Sequence, residues 1–225
     1  MNLGERELVA LNSLKNLSKF NFVLIGGYAV NVYVPPRFSV DCDLVVLGNL
    51  NEIISTLAQE DYKLTEKGAV RAEYMRYVKE DDKVSFDLLI GTVFDRLTQT
   101  SFERELFEKY SSRRALVGKA NNMRIEVTVA DPELLFTMKF TTSRKQDIRD
   151  VFMLSGSNLD FDKTKSIITS KCNAALIKAR VKLIKDAIKS DDYRKSLEGA
   201  YGGIPDQLFR TCTERLFRFL DGLEA

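Results

Sequence analysis

Histidine is absent from this 225-residue sequence, and its absence excludes His-based general acid–base chemistry, Ser-His-Asp triads and His-ligated zinc. Cysteine is scarce. Cys42, Cys172 and Cys212 stand far apart without Cys-x-x-Cys spacing, so neither a zinc knuckle nor a disulfide framework is indicated, and a reducing cytosol fits. No charged-then-apolar leader opens the chain, and no apolar run approaches the ~20 residues that cross a bilayer. The expectation is a soluble, cytoplasmic protein with no membrane partner. Charge is also nearly balanced: a net +2 says little, because balanced totals can conceal a local basic face. What remains is ordinary for a globular chain, with enough apolar residues for a core and a length that suits one sizeable domain or a catalytic domain with a helical extension.

The most informative stretch runs from Phe22 to Val46, FVLIGGYAVNVYVPPRFSVDCDLVV. It reads as an apolar strand, a Gly26-Gly27 turn, a short helix over Tyr28 to Tyr33, an extended passage forced by Pro35-Pro36, and a second strand beginning Asp41-Cys42-Asp43. Side chains alternate along a strand, so Asp41 and Asp43 share one face and Cys42 points to the other. Two like charges set side by side raise the free energy of both ionised forms unless a cation lies between them, as at a divalent metal site. An edge strand with two solvated acids would show the same pattern. The Gly-Gly pair lets backbone N–H groups approach an anion at a helix start, or simply makes a tight turn. Arg37 could meet a nucleotide phosphate or brace a sheet carboxylate.

Lys83 to Ile90 reads as a further strand, with Ser85 and Asp87 on one face and Phe86 and Leu88 on the other. A lone acid in an apolar strand is costly if buried without a partner, and a metal shared with Asp41 and Asp43 would supply one. Gly26-Gly27, Asp41-x-Asp43 and Asp87, in that order, resemble the signature of the nucleotidyltransferase superfamily, which includes DNA polymerase β, aminoglycoside nucleotidyltransferases and AbiEii-type toxins. Arg37-Phe38-Ser39-Val40-Asp41-Cys42-Asp43-Leu44 resembles the Arg-x-Ser/Thr-x-Asp-x-Asp-Leu form of the AbiEii-like branch.

Around these residues the periodicity predicts a helix over Glu5 to Lys19 with Leu8, Leu11, Leu14 and Leu17 as its apolar face. Asn49 with Glu52 resembles a capping pair before a core-facing helix carrying Leu50, Ile53, Ile54, Leu57 and Ala58. Tyr62 to Thr65 and Ala72 to Lys79 read as strands, with turns at Lys67-Gly68 and at Glu80-Asp81-Asp82. Ser101 to Tyr110 reads as a helix, Arg113 to Val117 as a short strand and Asn121 to Ala130 as a strand. Asp131-Pro132 then starts a helix through about Thr141.

The segment from Asp131 to Leu154 resembles the AbiEii region in which a helical Lys is followed by Arg, a Lys-x-Asp step and an Asp-Leu or Asp-Val pair. That resemblance implies that Lys139 lies close to the nucleotide; a surface lysine with a snorkelling stem is the alternative. Asp147 and Asp150 are expected to hold basic side chains. After the break at Ser155 to Asn158 the chain reads as helical. Ile177, Val181, Ile184 and Ile188 share a face, and Lys178, Lys182, Lys185 and Lys189 form a basic stripe beside it that could track an RNA backbone or face solvent. Gly202 to Pro205 breaks the chain again before a last amphipathic helix ending near Gly222.

The predicted fold is α/β, a mixed sheet with flanking helices over residues 1–130 and a mostly helical part over 131–225 that completes the nucleotide and acceptor cleft. The resemblance implies transfer of NMP from an NTP to an acceptor hydroxyl. Asp41, Asp43 and Asp87 would be the catalytic and metal residues, on two Mg2+ (or Mn2+) ions roughly 3.5–4 Å apart. Gly26, Gly27, Arg37, Ser39 and Lys139 would hold the nucleotide. RNA, as the acceptor end of tRNA, and a restraining antitoxin follow from the AbiEii likeness. A small hydroxylated antibiotic as acceptor, or a scaffold that binds nucleotide without reacting, are the alternatives.

Overall fold

The computed structural model describes residues 1–39, 41–69 and 71–224; Val40, within the motif from Arg37 to Leu44, lies outside them. The chain starts with helix α1 (Leu3–Leu17), strand β1 (Phe22–Ile25), helix α2 (Gly26–Val30), β2 (Asp41–Val46) and α3 (Leu50–Gln59). It continues through β3 (Lys63–Gly68), β4 (Tyr74–Lys79), β5 (Val84–Ile90), β6 (Val93–Asp95) and β7 (Thr100–Phe102). Helix α4 (Arg104–Lys109), β8 (Ser111–Val117) and β9 (Arg124–Ala130) follow, then α5 (Pro132–Thr142), α6 (Lys145–Ser155), α7 (Phe161–Lys171), α8 (Ala174–Ile188), α9 (Tyr193–Tyr201) and α10 (Asp206–Glu224).

Among the described residues β3-β4-β5-β2-β1-β9-β8 form a seven-stranded sheet in that order, and β6 and β7 pair separately. The sheet is mixed: β2 runs parallel to β5 and β1 parallel to β9, while β1–β2, β3–β4, β4–β5 and β8–β9 are antiparallel. The chain gathers into two compact units, one of Met1–Val32, Pro36–Phe94 and Ser101–Asp131, the other of Tyr33–Pro35, Asp95–Thr100 and Pro132–Ala225. In the first, alternation fixes the core. Cys42, Leu44, Phe86 and Leu88 are fully buried on one face of β2 and β5, where Tyr62 meets Phe86 edge to face at 5.3 Å between centroids. The second unit is helical, with α5 against α6 and α7 and α10 against α6 and α8. Phe136 and Phe219 meet edge to face there. No helix among the described residues is long and apolar enough to cross a membrane.

Several local expectations are corrected. Leu8 is exposed, and the buried face of α1 is Glu7, Ala10, Leu11, Leu14 and Leu17, because repeated steps of three fall short of a helical turn. Glu7 is tolerated there since its carboxylate accepts the backbone N–H groups of Lys119 (3.0 Å) and Ala120 (2.8 Å). The helix after β1 begins at Gly26, earlier than expected, and ends at Val30. Asn49 sits in the left-handed region at φ 58° and makes no side-chain cap to α3. Lys67-Gly68 is no turn: both residues lie in β3, opposite Met75 and Tyr74. Gly68 is there because a Cβ would stand 2.3 Å from the Tyr74 ring, so the missing side chain makes room for an aromatic. Only Arg104–Lys109 of the Ser101–Tyr110 segment is helical, its first residues being spent on β7.

Candidate active site

The parallel register of β2 on β5 places Asp43 opposite Asp87 and Asp41 opposite Ser85. Antiparallel pairing extends the Asp87 row through Arg76 on β4 to Glu66 on β3. Residues directly opposite share a face, so Glu66, Arg76, Asp87 and Asp43 form one row across four strands, with Asp41 one pleat along. The reverse face carries Cys42, Phe86 and Met75, all buried. Burial and the neighbouring Asp43, Asp41 and Asp87 push the Cys42 thiol well above its ordinary range, which keeps it protonated and inert.

The Gly-Gly turn closes the end of this row. Gly26 adopts φ +70°, and a Cβ on it would lie 1.8 Å from Oδ2 of Asp43, so the Asp43 carboxylate rests directly on the glycine backbone. A Cβ on Gly27 would meet Oγ of Ser39 at 2.6 Å and the Arg37 guanidinium at 2.9 Å. Arg37 is only 3 % exposed. Its backbone is clamped by Asn31, whose Nδ2 donates to the Arg37 carbonyl at 2.7 Å and whose Oδ1 accepts the Arg37 N–H at 3.0 Å. The buried guanidinium lies against the Gly27 turn. The Ser39 carbonyl accepts from the Tyr28 hydroxyl at 2.8 Å, tying the segment before β2 to α2.

Arg76 was not among the expected site residues. Its guanidinium bridges two of the acids, Nη2 to Oδ1 of Asp41 and Nη1 to Oδ2 of Asp87, both at 3.1 Å, and Nη2 also donates to Ser85 Oγ at 3.0 Å. Ser85 donates in turn to Asp41. A single basic residue between Met75 and Tyr77 is ordinary in a strand, and only the register reveals it. Oδ1 of Asp87 is buried without a hydrogen-bond partner among the described residues. Burial raises the Asp87 carboxyl above the usual carboxylate value, Arg76 opposes that, and Asp41 and Glu66 add to it.

As they stand, no three acidic, cysteine or histidine side chains among the described residues converge to hold a metal ion. The donor set nevertheless fits a hard divalent cation. It offers carboxylate oxygens only, one buried and unsatisfied, with a guanidinium already standing as a cation between two of the three acids.

Lys139 belongs to the helical unit and has carboxylate partners of its own. Its Nζ lies 2.8 Å from Asp147 Oδ1 and 3.2 Å from Asp150 Oδ2, and Tyr201 donates to Asp150 at 2.6 Å. In the basic stripe Lys185 pairs with Asp221 at 2.8 Å and Glu224 at 2.7 Å, whereas Lys178, Lys182 and Lys189 are exposed.

The family model described as "Nucleotidyl transferase AbiEii toxin, Type IV TA system" matches residues 10–216. No curated protein matches the chain. Among solved structures, the STING-associated CdnE c-di-GMP synthase from Capnocytophaga granulosa aligns over 97% of this chain and 78% of its own at 10% identity, with a TM-score of 0.25, a likeness too slight to bear on the activity.

Two outcomes follow from the geometry. Gly26→Ala should cost about 1–2 kcal/mol from the left-handed backbone alone, read from denaturant melts, and should displace Asp43; a variant as stable as the parent contradicts the contact. Asp87, with its folded pKa raised, favours the protonated fold, so stability falls as pH rises from the ordinary value of 3.8 through the folded value. Asp87→Asn is therefore expected to melt higher than the parent at neutral pH in EDTA, the gap closing below pH 3.8; a lower melting temperature at neutral pH contradicts it.

Proposed function

The chain belongs to the AbiEii family of nucleotidyl transferase toxins of type IV toxin–antitoxin systems, and on that premise we propose that it moves NMP from an NTP to a hydroxyl of RNA. The observation that carries this reading is the register of β2 on β5, which sets Asp43 beside Asp87 and one pleat from Asp41, against the Gly26 turn. Asp41, Asp43 and Asp87 would hold Mg2+, or Mn2+ in its place. When bound, the ions supply charge neutralisation to the triphosphate and a lowered pKa to the acceptor hydroxyl.

The rest is done by the chain. The absence of side chains on Gly26 and Gly27 lets Asp43, Ser39 and Arg37 close directly on the turn, and the amide hydrogens at the start of α2 are the donors proposed for the phosphate oxygens. Arg37, buried beneath Gly27, keeps the turn in shape and contributes fixed positive charge there, and Ser39 supplies a hydroxyl next to it. The acceptor O–H gives its proton to Asp87, whose raised affinity for a proton suits the task. The acceptor oxygen then bonds to the α-phosphorus as the bond to pyrophosphate breaks. Phosphoryl transfer depends chiefly on such positioning and charge. For Lys139, paired with Asp147 and Asp150, the proposed part is a phosphate-binding ammonium fixed in direction.

RNA is the acceptor favoured by the exposed lysines 178, 182 and 189 on one helix face, a spacing that suits a phosphate backbone. The proposed reaction runs in the cytoplasm, and restraint by an antitoxin is proposed from the type IV toxin–antitoxin description of the family. Incubation with each labelled NTP, Mg2+ and total RNA tests the reading. Label should enter RNA from a preferred NTP, and Asp41→Asn or Asp43→Asn should lower the rate by on the order of 10²–10³-fold or more. No transfer from any NTP contradicts it.

A further inference from the structure

Four carboxylates, those of Asp41, Asp43, Glu66 and Asp87, share the row and its neighbouring pleat with the guanidinium of Arg76. That guanidinium does not lie at the edge of the group. It spans two acids on different strands, one nitrogen to Asp41 and the other to Asp87 at the same 3.1 Å, and a third contact to Ser85 fixes its plane. A planar fork of this kind matches two separated carboxylate oxygens. The Asp87 oxygen it leaves unserved is buried without a hydrogen-bond partner among the described residues. Arg76 thus neutralises the acids only in part.

It also has somewhere else to go. Arg76 is directly opposite Glu66 in the β3–β4 pairing, on the same face as Asp87. The Glu66 carboxylate is exposed, with a hydrogen bond from the Tyr74 hydroxyl as its partner, and the Arg76 side chain is 36% exposed, so a rotation toward solvent meets no packed core.

We propose that Arg76 is the resident counter-cation of the carboxylate site, a positioning residue that holds Asp41 and Asp87 in place when no metal is bound and moves to Glu66 when a divalent cation enters. The inference rests on the metal reading of Asp41, Asp43 and Asp87 given above. Metal and guanidinium compete for the same oxygens, so cation affinity without nucleotide is set by what displacing Arg76 costs. Glu66 is then a determinant of metal affinity although it is no ligand.

The test is Mn2+ binding to the full chain without nucleotide, followed by electron paramagnetic resonance. Arg76→Gln should bind Mn2+ on the order of tenfold more tightly than the parent. Arg76→Lys, which keeps the charge, should stay near the parent, and Glu66→Gln, which removes the second resting place, should bind more weakly. Equal or weaker binding by Arg76→Gln overturns the inference while leaving the metal reading intact; binding by neither parent nor variant overturns both. A measurement on the unaltered protein stands whether or not the variants fold. In side-chain ¹⁵N spectra of the unaltered protein, saturating Mg2+ should shift the Arg76 guanidinium resonances as their partners change from Asp41 and Asp87 to Glu66. Guanidinium resonances that do not move at saturating Mg2+ overturn the proposal.

Discussion

Mutual repulsion among acids on neighbouring strands is the constraint on which the first unit is organised. Strands lie about 4.8 Å apart, and two ionised carboxylates at that distance repel by roughly 3 kcal/mol at an effective dielectric constant of about 20. The fold does not relieve this by turning the acids outward. Slipping β2 against β5 by one residue would part Asp43 from Asp87, but it would bring Cys42 and Leu44 to the open face and Asp41 and Asp43 into the core. Burial of the reverse face therefore holds the repulsion in place, and Arg76 offsets part of it. The remainder is the driving force that a cation can use.

The glycine turn belongs to the same arrangement. Asp43 lies so close over Gly26 that no side chain fits, and the left-handed backbone there opens α2 immediately after β1. Negative charge from Asp43 and the amides of the turn are set next to one another, a pairing that suits a metal-bound phosphate. Arg37 and Ser39 pack under Gly27 from the segment leading into β2.

Much of this was legible in the residues. Period-two alternation places Asp41 with Asp43 and opposes both to Cys42 whatever the partner strand is, and the one acid in an apolar strand marks Asp87. Arg76 was not legible, because its role depends on β4 lying beside β5 and β5 beside β2, and the latter pairing joins residues more than forty positions apart. Gly68 was misread for a related reason: a glycine beside a lysine resembles a turn until the Tyr74 ring across the strand accounts for it. Leu8 was misplaced by a three-residue step, where the structure instead turns Glu7 inward to hold two backbone amides. Within the helical unit the spacing of Ile177, Val181, Ile184 and Ile188 was enough to find the buried face of α8. The partners of Lys139 lie on the next helix, where Asp147 and Asp150 had been expected to hold a basic side chain without its being identified.

The central claim is that three carboxylates on β2 and β5 form one divalent-cation site beside the Gly26 turn. Anomalous diffraction from crystals grown with Mn2+ and a nonhydrolysable NTP analogue addresses it most directly. Anomalous peaks bounded by oxygens of Asp41, Asp43 and Asp87, with the triphosphate against Gly26 and Gly27, are the expected result. Manganese bound elsewhere, with Arg76 still bridging Asp41 and Asp87 beneath an ordered nucleotide, would contradict the account.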